Sequence, residues 1–152
     1  MVTAIILTKN EEDNIKDCIN SLGWVEEVIV IDDNSQDKTI EIAKSLDAKV
    51  FIRSLNGDFS GQRNFGLDKA NGKWILFIDA DEKVSPYLSD EIIRLTNKPL
   101  SKCVGFFIKR VDVIWNKELK YGETRHMEVL RLVKKSAGRW EGKVHEKWRG
   151  EG

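Results

Sequence analysis

The sequence predicts an α/β fold with a Rossmann-like, mainly parallel central sheet flanked by helices and an antiparallel or mixed extension at one end. Three observations carry this. Over residues 1–97 short apolar runs alternate with amphipathic stretches, the pattern of a sheet covered by helices. The runs are continuous rather than alternating, as strands buried on both faces require. From residue 103 the apolar runs follow one another without clear helices between them.

Each element has its own warrant. Residues 2–8 open the chain as a buried strand. Asn10 is placed to cap a helix over 11–22, where Ile15, Cys18, Ile19 and Leu22 share one face and Gly23 is the stop. Val28-Ile29-Val30-Ile31 forms the second strand. A helix over about 36–46 sets Ile40, Ala43 and Leu46 on one side, and Lys49-Val50-Phe51-Ile52 is the third strand. Ser60 is a candidate cap for a helix to Ala70, ended by Asn71-Gly72. Trp74-Ile75-Leu76-Phe77-Ile78 is the fourth strand, and Pro86 suits the first turn of a helix reaching Asn97. Residues 104–109, 111–115 and 129–133 are the strands of the extension. No repeat, low-complexity tract or linker interrupts the chain, so 1–152 is expected to be one domain, with halves 1–100 and 101–152.

Composition narrows the function classes. The chain has 152 residues, 41% apolar and 33% charged, a globular balance that can bury a core without disulfides. Net charge is zero, which argues against nucleic acid as a partner. The charge is uneven: 13 Lys and Arg against 18 Asp and Glu in residues 1–108, then 12 against 7 in 109–152. Such a split suits an acidic site in one half and an anionic partner for the other, or simply two solvated faces. Cys18 and Cys103 lie far apart in apolar surroundings and read as buried free thiols of a reducing compartment. Without a basic-then-apolar leader or a run of about 18 apolar residues, the expectation is a soluble, cytoplasmic protein, at most peripheral to the inner face of a membrane.

Ligands of an open α/β sheet bind beyond the carboxyl ends of its strands. The segments there are Thr8-Lys9-Asn10-Glu11, Asp32-Asp33-Asn34-Ser35, Arg53, and Asp79-Ala80-Asp81-Glu82. Three of the four ends carry acidic groups. Asp79 and Asp81, two apart, can point the same way once the strand has turned. Carboxylates with open water positions bind Mg²⁺ or Mn²⁺ and leave room for phosphate oxygens, and a diphosphate leaving group needs such a cation. A lone Asp-x-Asp is common in solvated loops; its place after a buried strand, with Asp32-Asp33 after another, favours a cation site. Asp32 and Asp33 lie where a doubly wound fold reads a nucleoside through ribose hydroxyls or a base N–H. Asn34, Ser35 and Asp37 equally suit a helix cap, and one loop can serve both ends. Gly61-Gln62-Arg63-Asn64-Phe65-Gly66 opens a helix, where anions are favoured and Arg63 supplies a forked donor; the plainer reading is a packed Gly66 and a solvated Arg63.

Taken together these segments resemble glycosyltransferase family 2, which has the GT-A fold. The matching residues are Thr8-Lys9-Asn10-Glu11, Ile31-Asp32-Asp33-Asn34-Ser35 with Asp37 and Thr39, Gln62-Arg63-Asn64-Phe65-Gly66 and Phe77-Ile78-Asp79-Ala80-Asp81-Glu82, in family order across about residues 1–85. The tail, Arg131-Leu132-Val133 and then Gly138-Arg139-Trp140-Glu141-Gly142-Lys143-Val144-His145-Glu146, resembles a subgroup acting in lipopolysaccharide core or related envelope-glycan assembly. The resemblance implies a nucleoside-diphosphate sugar donor, uridine-linked, and a glycan or glycolipid acceptor. Thr8, Asn10, Glu11, Asp32, Asp33 and Asn64 would hold the donor, with Arg63 near its base or diphosphate and Asp79 near ribose and metal. Asp81 would ligate Mg²⁺ or Mn²⁺, and His145 could complete the shell. Members of the family are typically inverting, and Glu146 or Glu141 would be the base, with Glu146 favoured by motif position. Against this, Glu146 could simply pair with Arg139 or Arg149. Relatives usually continue with helices on the acceptor side, which implies a short second half here. Trp115, Trp140 and Trp148 sit among basic residues, suiting sugar stacking, a membrane interface, or plain packing, which is preferred for Trp115.

Other classes remain in view. A phosphatase of the haloacid dehalogenase type carries its Asp-x-Asp after the first strand, not the fourth. A nucleotidyltransferase should show a glycine-rich loop after the first strand, and Leu7-Thr8-Lys9-Asn10-Glu11-Glu12 has no glycine. A catalytically silent nucleotide-sugar or glycan binder would keep the same pocket without turnover.

Overall fold

A computed structural model describes residues 1–98, 103–111, 113–114, 117–118, 128–143 and 145–150. Strands β1 (Val2–Thr8), β2 (Glu27–Asp32), β3 (Lys49–Ile52) and β4 (Trp74–Asp79) alternate with helices α1 (Ile15–Asn20), α2 (Thr39–Ser45) and α3 (Phe59–Lys69). Helix α4 (Pro86–Thr96) follows, then β5 (Gly105–Lys109), β6 (Val113–Ile114), β7 (Lys117–Glu118), β8 (Glu128–Lys134), β9 (Gly138–Glu141) and β10 (Lys147–Gly150). The main sheet has the order β3-β2-β1-β4-β8-β5. Its first four strands are parallel, and β8 and β5 extend it antiparallel. The strand expected over 111–115 is described only as Val113–Ile114, paired with β7 outside the main sheet; Trp115 and Val144 lie outside the described residues.

Side-chain alternation sorts the core onto two faces. Ala4, Ile6, Val30, Leu76 and Ile78 pack with Ile15 and Cys18 of α1, Ala43 of α2 and Ile92 of α4. Ile5, Ile31, Ile75 and Phe77 pack with Leu67 and Ala70 of α3 and with Trp140 of β9. Gly66 lets α3 approach closely, because a Cβ there would stand 2.7 Å from Ile5 Cγ2. No helix among the described residues is long and apolar enough to cross a membrane.

Several boundaries differ from expectation for local reasons. Asn10 does not cap α1: it adopts a left-handed conformation (φ 53°), and the helix starts only at Ile15 after a turn. Its side chain instead accepts from the Gln36 N–H at 2.8 Å, tying the two acidic loops together. Asp58, not Ser60, caps α3, its Oδ1 accepting from the Gly61 N–H at 2.9 Å; a carboxylate fits a helix start better than a hydroxyl.

At the amino-terminal end of the sheet Glu27 is a buried clasp. Its carboxylate accepts from Thr3 Oγ1 at 2.7 Å, from the Asn71 N–H and Nδ2 at 2.9 and 2.7 Å, and from Lys49 Nζ at 2.7 Å. Burial would raise its pKa, but these donors together hold it near 2.

Candidate active site

The parallel register brings the strand ends level. Thr8 lies opposite Asp32 and Leu7 opposite Asp79, so the loops after β1, β2 and β4 open on one edge. There a cleft of about 490 Å³ is lined by Thr8, Lys9, Glu11, Asp33, Leu55, Phe59, Gln62, Arg63, Asp79, Asp81, His145 and Glu146. The last two arrive from the turn between β9 and β10, which pair antiparallel against α3.

Five predicted donor residues line this cleft. Thr8 Oγ1 is buried with no hydrogen-bond partner among the described residues. Glu11 is held by its own N–H, which donates to Thr39 Oγ1 at 2.8 Å. Asp33 accepts from Lys9 Nζ at 2.9 Å and from the Leu55 N–H at 2.8 Å, and both donors hold its carboxyl below the usual range. Arg63 lies over the faces of Trp140 and Phe77, 5.1 and 5.6 Å from the ring centroids, and its Nε donates to Glu146 Oε1 at 2.8 Å. Asp79 is the fifth. Burial would raise its carboxyl, but the Arg131 guanidinium, helped by Arg63 and Arg110, holds it below the usual range.

Four other predicted site residues face elsewhere. Asp32 is fully buried and accepts from the N–H and hydroxyl of Ser35: neighbours along a strand point to opposite sides, so Asp33 takes the cleft and Asp32 braces the loop. Asn64 exchanges hydrogen bonds with the backbone of Trp140, at 2.8 and 3.0 Å, and fastens β9 to α3. Asn10 holds the Gln36 loop as described. Glu141 is outside the cleft, its side chain exposed and 3.4 Å from Arg149, because Trp140 takes the inward side of β9. Glu146 pairs with Arg63 rather than with Arg139, which holds Asp68 instead. Trp140 is a packing residue, edge-on to Phe77 and Trp148 at 5.5 and 5.6 Å.

The residues predicted to hold a metal meet in part. Asp79, Asp81 and His145 line the same cleft, and His145 is exposed on a left-handed backbone (φ 56°). Among the described residues no three His, Cys, Asp or Glu groups are gathered as a metal cage. Asp79 and Asp81 supply hard oxygen donors to the cleft, the chemistry that fits a cation keeping waters and phosphate oxygens. Arg131, quoted above only as part of the tail resemblance and without a role, is the buried cation that serves Asp79 and Glu82 at 2.7 and 2.8 Å. Nor did the sequence mark Phe59 and Leu55, whose apolar side chains face the same space.

A mainly parallel sheet of this order, with acidic strand ends around an open cleft, is the GT-A fold. Residues 3–144 match the model of glycosyl transferase family 2, and the chain belongs to that family. An uncharacterized glycosyltransferase of Rickettsia bellii is 47% identical over 92 residues, 60% of this chain and 31% of its own length. The lipopolysaccharide core biosynthesis glycosyltransferase LpsC of Rhizobium meliloti is 30% identical over 155 residues, 95% of this chain and 56% of that protein. Among solved structures, S. aureus TarS 1-349 in complex with UDP-GlcNAc superimposes with a TM-score of 0.54 at 26% identity, over 63% of this chain and 31% of that one. The chain therefore spans about a third to just over half the length of these relatives.

Proposed function

We propose that this domain binds a uridine-diphosphate sugar in the cleft and, with a divalent cation, transfers the sugar with inversion to an envelope-glycan acceptor such as a lipopolysaccharide core. The observation that carries the reading is the convergence of Asp33, Asp79, Asp81, Arg63 and Glu146 on one cleft from four separate parts of the chain. The similarity to TarS, solved with UDP and with UDP-GlcNAc, supports the donor class, and the similarity to LpsC supports the acceptor class.

In this reading Thr8, Glu11 and Asp33 take the nucleoside through its hydroxyls and base N–H. Asp81 and the other oxygen of Asp79 would hold Mg²⁺ or Mn²⁺, with His145 within the same cleft. When bound, the cation supplies charge stabilisation for the departing diphosphate. Arg63, resting on two aromatic faces, adds positive charge on that side. Glu146 takes the proton of the acceptor hydroxyl as its oxygen bonds to the anomeric carbon and the bond to the diphosphate breaks.

The test is calorimetric titration of UDP into the protein with and without Mn²⁺, repeated on Asp81→Ala. Binding that needs the metal and is lost in the variant is expected. If folded protein binds none of UDP, GDP or CDP under either condition, the acidic cluster is structural and the reading is wrong.

A further inference from the structure

Arg131 is a charged side chain taken into the interior on β8, where it is 8% exposed. Strand β8 lies antiparallel to β4 with Leu132 opposite Leu76, so the next residue, Arg131, comes alongside the last turn of β4. One guanidinium nitrogen, Nη2, donates to Asp79 Oδ2 at 2.7 Å and to Glu82 Oε1 at 2.8 Å. The second oxygen of Glu82 accepts from the Asp79 N–H at 3.0 Å, and the Glu82 N–H donates to the Asp79 carbonyl at 3.0 Å. The turn that carries Asp79-Ala80-Asp81 is thus closed on itself and pinned to β8 through one nitrogen. The other nitrogen, Nη1, is buried without a partner among the described residues.

We propose that Arg131 is a positioning residue for the cation site: it turns Asp79 Oδ2 toward β8, leaves the other oxygen and Asp81 to the cleft, and offsets the repulsion among three neighbouring carboxylates. This inference rests on the cleft being a nucleotide-sugar and cation site. Taking a guanidinium out of water is costly, and an apolar side chain of similar volume often packs better. The cost is heightened here by a donor left unsatisfied. A sheet interior has no need of such a group, whereas Asp79, Asp81 and Glu82, crowded onto one turn, do. Without the guanidinium, Asp79 Oδ2 and Glu82 Oε1 lose the shared donor that fixes their direction, and the Asp79 carboxylate is no longer held with its other oxygen beside Asp81. Arg131 acts through Asp79 and does not touch the donor, so its removal should weaken cation binding while sparing the metal-free contacts to the nucleoside.

The experiment compares the wild-type domain with Arg131→Met and Arg131→Lys. Free Mn²⁺ is counted by electron paramagnetic resonance in the absence of nucleotide, UDP binding is measured with and without Mn²⁺, and thermal unfolding checks the fold. Met should lower Mn²⁺ affinity by roughly tenfold or more, as loss of a partner behind a metal ligand does, and leave metal-free UDP binding within about twofold; Lys should recover part of the loss. If Met does not fold, Arg131→Lys combined with Glu82→Gln keeps one cation facing Asp79 but removes the bridge, and the same direction of change is expected. Unchanged Mn²⁺ affinity in folded variants overturns the inference, as does an equal loss of metal-free UDP binding, which marks general damage. A wild-type domain that binds neither Mn²⁺ nor UDP overturns the cleft reading itself, and this inference with it.

Discussion

Glu146 and Glu141 stand five residues apart and meet opposite fates. Glu146 lies in the cleft, mostly shielded, in contact with Arg63; Glu141 stands in solvent beside Arg149. Glu146→Gln should therefore lower the rate of UDP release from a donor sugar by about 10²-fold or more, the usual weight of a general base. Glu141→Gln should stay within about twofold. Initial rates on the two variants decide it, and a greater loss in Glu141→Gln would remove Glu146 from the base's role. The sequence could offer both carboxylates but not rank them geometrically, because the ranking depends on which side of β9 Trp140 buries. The same limit explains Asp32 and Asn64. Their types and positions fit a ligand site, yet one braces a loop and the other fastens a strand, and sequence spacing does not distinguish a polar group turned inward from one turned to the cleft.

Single strands and helices owe their placement to clasps of this kind. The Glu27 carboxylate gathers β1, β3 and the turn before β4 onto β2. Its pKa is held near 2, below an ordinary value of 4.5. A carboxyl depressed by folding stabilises the fold above its unfolded pKa and loses that contribution as pH falls through the folded value. Glu27→Gln should thus lose roughly 1–3 kcal/mol at neutral pH, the low end reflecting the solvent-exposed Lys49. It should also flatten the fall in stability between about pH 4.5 and 2. Urea unfolding of both proteins across that range measures it; parallel curves would show that Glu27 contributes nothing through its charge. Nothing in the sequence flagged Glu27, since its partners sit 22 to 44 residues away. Helices α1 and α2 were legible through their apolar faces, but both came out shorter than expected because polar loop residues, Asn10 and Asp37 among them, accept from backbone N–H groups of the facing loop rather than extending the helices.

The parallel part of the molecule was legible because each strand buried on both faces leaves a continuous apolar run, and four such runs with helices between them admit few arrangements. Their acidic ends then had to share an edge, which is why Thr8, Asp33, Asp79 and Asp81 could be named in advance. The antiparallel extension was readable only as a change of pattern. That β8 would enter between β4 and β5, and so carry Arg131 to Asp79, depends on a pairing without local signature. Beneath the same turn the buried Cys18 thiol donates to the Asp79 carbonyl at 3.6 Å. Burial, then the charges of Glu82, Asp79 and Asp81, push its pKa up to about 12, which makes it a packing group rather than a reactive one.

The seating of the β9–β10 hairpin has a consequence for how the cleft breathes. The hairpin is held to α3 by Asn64, by the Arg139–Asp68 pair and by the Arg63–Glu146 pair, and by the Phe59 N–H donating to the Lys143 carbonyl at 3.2 Å. The floor beneath is a parallel sheet shielded on both faces. Opening free energies within one domain range from near zero to the global value, lowest where apolar contacts are few. Amide protons of β10 should accordingly exchange with deuterium well before those of β1 and β4, which mass spectrometry of exchanged peptides can follow; equal protection would mean that hairpin and sheet unfold as one unit. Independent opening would carry Glu146 away from Arg63 while the floor of the cleft stayed folded, a hinged wall over a rigid seat; on the function proposed above, a spent nucleotide would leave past that wall without disturbing the strands beneath.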